Sequence, residues 1–173
     1  EWGRLKPEFF QSPIFINRGI GGQTTPQMLL RFKQDVINLK PYAVFILAGT
    51  NDIAGNTGPS NIDMIINNIF SMAELSMSYN IKTVLSSILP VDKYPWADHI
   101  KNVPETILTI NQELKSFSGK NDITYIDYHS LMVSKNLGLK KEYTTDGVHL
   151  NKMGYEVMCH LVRGILKKEG LAG

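Results

Sequence analysis

The chain has 173 residues, of which 43% are hydrophobic and 20% charged, the proportions of one globular domain with a core of its own. Lysine and arginine number 18 against 16 aspartate and glutamate, and a net charge of +2 excludes the strongly basic field used to recognise nucleic acid or anionic membrane. The apolar runs are too short to span a bilayer, and a lone cysteine, Cys159, excludes an internal disulfide while leaving redox compartment and localisation open.

In chain order, the first expected strand is the short apolar segment 14–17. Thr25 follows as a helix cap with Pro26 at the first helical position, and Leu29, Phe32, Val36 and Leu39 recur at helical spacing up to Lys40-Pro41. A continuous apolar run, 43–48, predicts a second strand covered on both faces. Ser60 and Asp63 resemble a capping box ahead of a helix whose apolar face is Ile62, Ile65, Ile69, Ala73 and Met77. Strands are expected again at 83–89 and 123–127, separated by a helix that places Ile107, Ile110, Leu114 and Phe117 on one side before Gly119. A last helix begins after Asn151 and uses Val157, Leu161 and Leu166, with Cys159 as a packed thiol. Alternating strands and helices predict a three-layer α/β/α sandwich, and no repeat or linker divides residues 1–173.

Open α/β sheets place their sites at the carboxyl ends of strands, and the chemistry-bearing segments fall there. Asp146 and His149, in Thr145-Asp146-Gly147-Val148-His149-Leu150, can form an acid and base in which the carboxylate fixes the imidazole tautomer. The other reading is a plain Asp-Gly turn. Gly19-Ile20-Gly21-Gly22-Gln23-Thr24 does not complete a dinucleotide fingerprint, which needs glycine where Thr24 stands. It reads either as a tight turn or as a loop offering a backbone N–H to an oxyanion. Gly49-Thr50-Asn51-Asp52 reads as a turn or as a neutral amide donor, Asn51, steadied by Asp52.

Taken in order, these blocks resemble the SGNH hydrolases, the GDSL-type esterases and lipases. Gly22 matches that family's oxyanion-hole glycine, Asn51 its oxyanion-hole asparagine, and Asp146 and His149 its D-x-x-H acid and base. The resemblance spans nearly the whole chain and implies a flavodoxin-like parallel sheet of order 2-1-3-4-5. The family's first block, Gly-Asp-Ser or Gly-Asn-Ser at the end of its first strand, is absent. Glu1-Trp2-Gly3 resembles the residues that follow that block, so a further strand and the nucleophilic serine are expected just upstream of Glu1. Residues 1–173 are then a single, N-terminally truncated domain. Ser12, Ser60, Ser86 and Ser87 offer no replacement, since none stands in a G-x-S-x-G elbow.

The implied activity is hydrolysis of a small acyl ester, acetyl on a carbohydrate being the expected case, with no metal or organic cofactor. His99, His129 and His160 form no H-E-x-x-H pattern. Residues 91–99 follow the third expected strand, and Tyr94 and Trp96 there are candidate substrate contacts, an aromatic platform suited to a sugar. The alternative is an ordinary loop whose Trp96 packs on the core. Two other classes stay open: an inactive homologue that keeps a ligand pocket without the nucleophile, and a flavodoxin-like nucleotide binder, in which Asp146 and His149 have no task.

Overall fold

The computed structural model of the chain describes residues 1–11 and 15–168. Among them, β1 (Ala43–Ile46), β2 (Lys82–Ser86) and β3 (Thr124–Ile126) form one parallel sheet in that order. Val44 pairs with Thr83 and Leu85 with Tyr125. Successive strand residues point to opposite faces, and each face has its own apolar cluster.

On one face, Ile46 and Leu85 pack with Phe32 of α2 (Thr25–Asp35), Ile65, Ile69 and Ala73 of α4 (Ile62–Ser78), and Ile107, Ile110 and Leu114 of α5 (Val103–Lys120). Leu85 is wholly buried, and such a side chain contributes about 1.5–3 kcal/mol relative to exposure. On the other face, Val84 and Ile126 meet Phe9, Met132 of α6 (Tyr128–Met132), and Met158 and Val162 of α7 (Lys152–Lys168). Helices on both faces of a parallel sheet make the α/β sandwich.

The strands stop earlier than the apolar runs do. Past Ile46 and Ser86 the ladder gives way to single bonds: the Ser87 N–H donates to the Ile126 carbonyl at 2.9 Å, Ser86 Oγ donates to the Ile46 carbonyl at 3.0 Å, and the Asn111 amide brackets Ile88, accepting its N–H at 2.7 Å and donating to its carbonyl at 3.1 Å. Ser87 and Ile88 stay buried although they lie past the end of β2, because an apolar run marks burial and not pairing. Residues 15–17 form no strand, while Ile14 lies outside the described residues. A segment becomes a strand only where a partner takes its N–H and C=O groups, and among the described residues no strand pairs with 15–17.

Helix boundaries also differ from the pattern. Thr24, not Thr25, caps α2: Gln27 Oε1 accepts the Thr24 N–H at 3.0 Å. α2 ends at Asp35, and a 3₁₀ turn, Ile37–Leu39, carries the chain to Lys40, leaving Leu39 exposed. Asn61 caps α4, its Oδ1 accepting the Met64 N–H at 2.8 Å, while Ser60 Oγ donates to the Asp52 carbonyl at 2.7 Å. α5 continues through Gly119. In α7 the buried positions are Gly154, Met158, Cys159, Val162 and Leu166, with Val157 and Leu161 only half-buried.

At the amino end, α1 (Trp2–Leu5) docks on α7. The Trp2 ring stacks on Tyr155 with centroids 5.9 Å apart, and its Nε1–H donates to Cys159 Sγ at 3.2 Å. Burial pushes the Cys159 thiol up, as suits the packed role its pattern predicts. Among the described residues, β2 pairs one edge of β1 and no strand pairs the other. Beside that open edge Phe45 and Leu47 are 36% and 38% exposed.

Candidate active site

The residues of interest leave the carboxyl ends of the strands. β1 runs into Gly49 and the short helix α3 (Thr50–Ile53). Gly49 has φ 115°, and a Cβ there would meet Ile88 Cδ1 at 2.6 Å, so both backbone and packing demand glycine. Asp52 is 2% exposed and accepts the Thr25 N–H at 3.0 Å and the Thr25 hydroxyl at 2.6 Å. Burial pushes its carboxyl up, and the Thr25 bonds act the other way. Asp52 thereby ties α3 to the first turn of α2, the holding role its position suggests.

That tie brings the loop ahead of α2 against Asn51. Asn51 Nδ2 donates to the Gln23 carbonyl at 2.9 Å. Gly22, at φ 79°, sits at the turn of this loop, and its carbonyl accepts from Asn56 Nδ2 at 3.0 Å. From α2, Arg31 braces both ends of the loop, donating to the Arg18 carbonyl at 2.8 Å and to Gln23 Oε1 at 2.7 Å, and it shares Asp35 with Arg18. Arg31 and Asn56 escape sequence reading, because their task is defined only by what lies opposite them.

The Asp146 to His149 segment is a closed loop. An antiparallel bridge between Thr144 and Leu150 joins its ends, and Thr144 Oγ1 donates to the His149 carbonyl at 2.7 Å. Val148 and Leu150 point into the protein and are buried, turning Asp146 and His149 outward. Asp146 Oδ1 accepts the N–H groups of Val148 at 2.9 Å and His149 at 2.8 Å, while Oδ2 lies 2.6 Å from His149 Nδ1. Partial burial opposes the charge on Asp146, but the bonds from the His149 ring and the two N–H groups outweigh it and hold the carboxyl at about 2. With Nδ1 engaged, Nε2 is the ring nitrogen available to a reacting group. Asn151 ends the loop by accepting the N–H groups of Met153 and Gly154 at the start of α7.

Trp96, 54% exposed, stacks on His149 with ring centroids 5.7 Å apart and planes at 29°. Tyr94 lies beneath Trp96 at 5.7 Å and is 1% exposed. Its hydroxyl, pushed up to about 12 by burial, donates to the Thr50 carbonyl at 3.0 Å. Tyr94 is thus a strut joining the Asn51 segment to Trp96 and His149, and its ring offers no open face to a ligand.

Of the serines, Ser60 and Ser86 spend their hydroxyls on carbonyls, and Ser87 Oγ accepts the His129 N–H at 2.8 Å. Ser12 lies outside the described residues. Among the described residues no three of His, Cys, Asp and Glu gather as metal ligands, and no helix is long and apolar enough to cross a membrane.

A parallel sheet covered by helices on both faces, with the Asp146–His149 pair on the loop before the last helix, is the setting, and the chain belongs to the GDSL-like lipase/acylhydrolase family, whose model matches residues 1–157. Two solved structures are similar throughout. A GDSL-like lipase from Bacteroides thetaiotaomicron is 44% identical with TM-score 0.94, covering 97% of this chain and 82% of its own. A protein described as an acylhydrolase from Bacteroides fragilis is 45% identical with TM-score 0.94, covering 97% of this chain and 81% of its own. The uncharacterized lipoprotein YqeF of Bacillus subtilis is 39% identical over 79 residues, which make up 44% of this chain and 32% of that protein.

Proposed function

We propose that this chain supplies the acid, base and two oxyanion donors of a serine ester hydrolase. The nucleophilic serine stands just ahead of Glu1, at the end of a strand that fills the open edge of β1. The observation that carries the reading is the 2.6 Å contact of Asp146 Oδ2 with His149 Nδ1, which orients an imidazole and leaves Nε2 for a nucleophile.

In the reaction, His149 Nε2 takes the serine hydroxyl proton as Oγ attacks the ester carbonyl carbon. Negative charge on the carbonyl oxygen is received by the Gly22 N–H, the Asn51 amide and the serine's own N–H. Collapse of this intermediate breaks the ester C–O bond, and His149 returns the proton to the departing alcohol. Water then repeats the sequence, releasing the acid and restoring the serine. Asp146 stays ionised and steadies the imidazolium.

The substrate in this reading carries a small acyl group, acetyl in the first instance, on a carbohydrate or similar alcohol. Exposed Trp96 beside His149 supports it, as an apolar ring face next to the reacting centre suits the face of a sugar. The test is the sequence ahead of Glu1 together with turnover of p-nitrophenyl acetate and an acetylated oligosaccharide by the polypeptide that includes it. Serine in a Gly-Asp-Ser or Gly-Asn-Ser block with acetate release is the expected result. A residue other than serine, with no turnover, would make the protein a ligand-binding homologue instead.

A further inference from the structure

Three hydrogen bonds from Asn56 reach the two residues read as oxyanion donors. Its Nδ2 donates to the Gly22 carbonyl at 3.0 Å and to Asn51 Oδ1 at 3.2 Å, using both amide hydrogens. Its backbone N–H donates to the Asn51 carbonyl at 3.0 Å. Next to it, the Thr57 hydroxyl lies 3.0 Å from that of Thr24, joining the same two loops once more.

These contacts bear on orientation. An asparagine amide stabilises an oxyanion only when its NH2, not its oxygen, faces the reacting carbonyl. At Asn51 the oxygen is claimed by Asn56, and one Nδ2 hydrogen is claimed by the Gln23 carbonyl, which leaves the other hydrogen for a ligand. The Gly22 carbonyl is held by the same Asn56 amide, which restrains the φ 79° turn from which the Gly22 N–H projects. A single side chain thus sets the direction of both donors.

We infer that Asn56 is a positioning residue of the oxyanion hole, fixing the Asn51 amide and the Gly22 turn in their donating orientations without touching the substrate. This rests on the serine-esterase reading above. Asn56 is exposed and lies in the turn that follows α3, so its side chain is not part of the core.

The test is a double-mutant cycle on p-nitrophenyl acetate with the polypeptide that includes the residues ahead of Glu1. Asn56→Ala is expected to lower kcat about tenfold or more while KM moves less than about threefold, because the lost interaction is one made with the transition state. In an Asn51→Ala background the same change should cost clearly less, since one of the two donors it orients is gone and only the Gly22 turn remains to be held. Asn56→Asp keeps the size but cannot donate; it should reproduce the kcat loss, and it carries the test if the alanine variant does not fold. Unchanged kcat in both variants, or an undiminished loss in the Asn51→Ala background, would overturn the inference while leaving the esterase reading intact. An inactive wild-type protein overturns both.

Discussion

Asp146 and His149 are joined twice: the carboxylate takes the His149 ring at 2.6 Å through Oδ2 and the His149 backbone N–H at 2.8 Å through Oδ1. Orientation of the imidazole is therefore built into the loop that carries it, before any substrate arrives. Asp146→Asn presents an amide donor to a ring nitrogen that also needs to donate, and it should lower kcat by on the order of 10³–10⁴-fold. His149→Ala should remove turnover, with circular dichroism unchanged in both variants. Retained activity in His149→Ala would take that residue out of the mechanism.

The same bonds have a consequence in acid. The folded Asp146 carboxyl lies at about 2, below its ordinary value of 3.8, so the stabilisation it contributes is complete above the ordinary value and is lost as pH falls towards the folded one. Between about pH 4 and about pH 2 the melting temperature should fall more steeply for the wild type than for Asp146→Asn. Parallel curves would show that the pairing does not persist in solution.

Asp52 should matter for the fold as much as for the site. Asp52→Ala strips the acceptor from the buried Thr25 N–H and hydroxyl, and the expected loss is about 2–4 kcal/mol in denaturant unfolding. A change under about 0.5 kcal/mol would mean that water replaces the carboxylate.

Gly49→Ala combines a φ of 115° with a Cβ 2.6 Å from Ile88 Cδ1. It should destabilise the protein by about 2 kcal/mol or more and lower kcat by displacing Asn51, which follows two residues later. A stable variant with normal kcat would show that the α3 turn tolerates the shift.

Trp96→Ala separates platform from chemistry. KM for an acetylated oligosaccharide should rise about tenfold, with p-nitrophenyl acetate turnover within about threefold of wild type. Equal losses on both substrates would instead make Trp96 a support for the His149 ring.

The architecture was legible because burial is written in local pattern: Ile65, Ile69 and Ala73, and Ile107, Ile110 and Leu114, all occupy the core at the spacing that marks them. Strand ends and caps were less so. Asn61 rather than Ser60 caps α4, since Ser60 is drawn to a carbonyl eight positions away, and residues 15–17 form no strand because strandness belongs to a pair of segments.

By itself the sequence determined which groups could do chemistry, since Asp146 and His149 stand three residues apart on one loop and their pairing needs no distant partner. What only the tertiary structure decided is how the other groups are aimed. Tyr94, close in sequence to Trp96, is turned inward to Thr50 while Trp96 lies over His149, and Asn56 reaches Gly22 from 34 residues away. The physical reason is that a hydrogen bond or ring contact depends on direction and separation in space, which residue spacing encodes only within a single turn or loop.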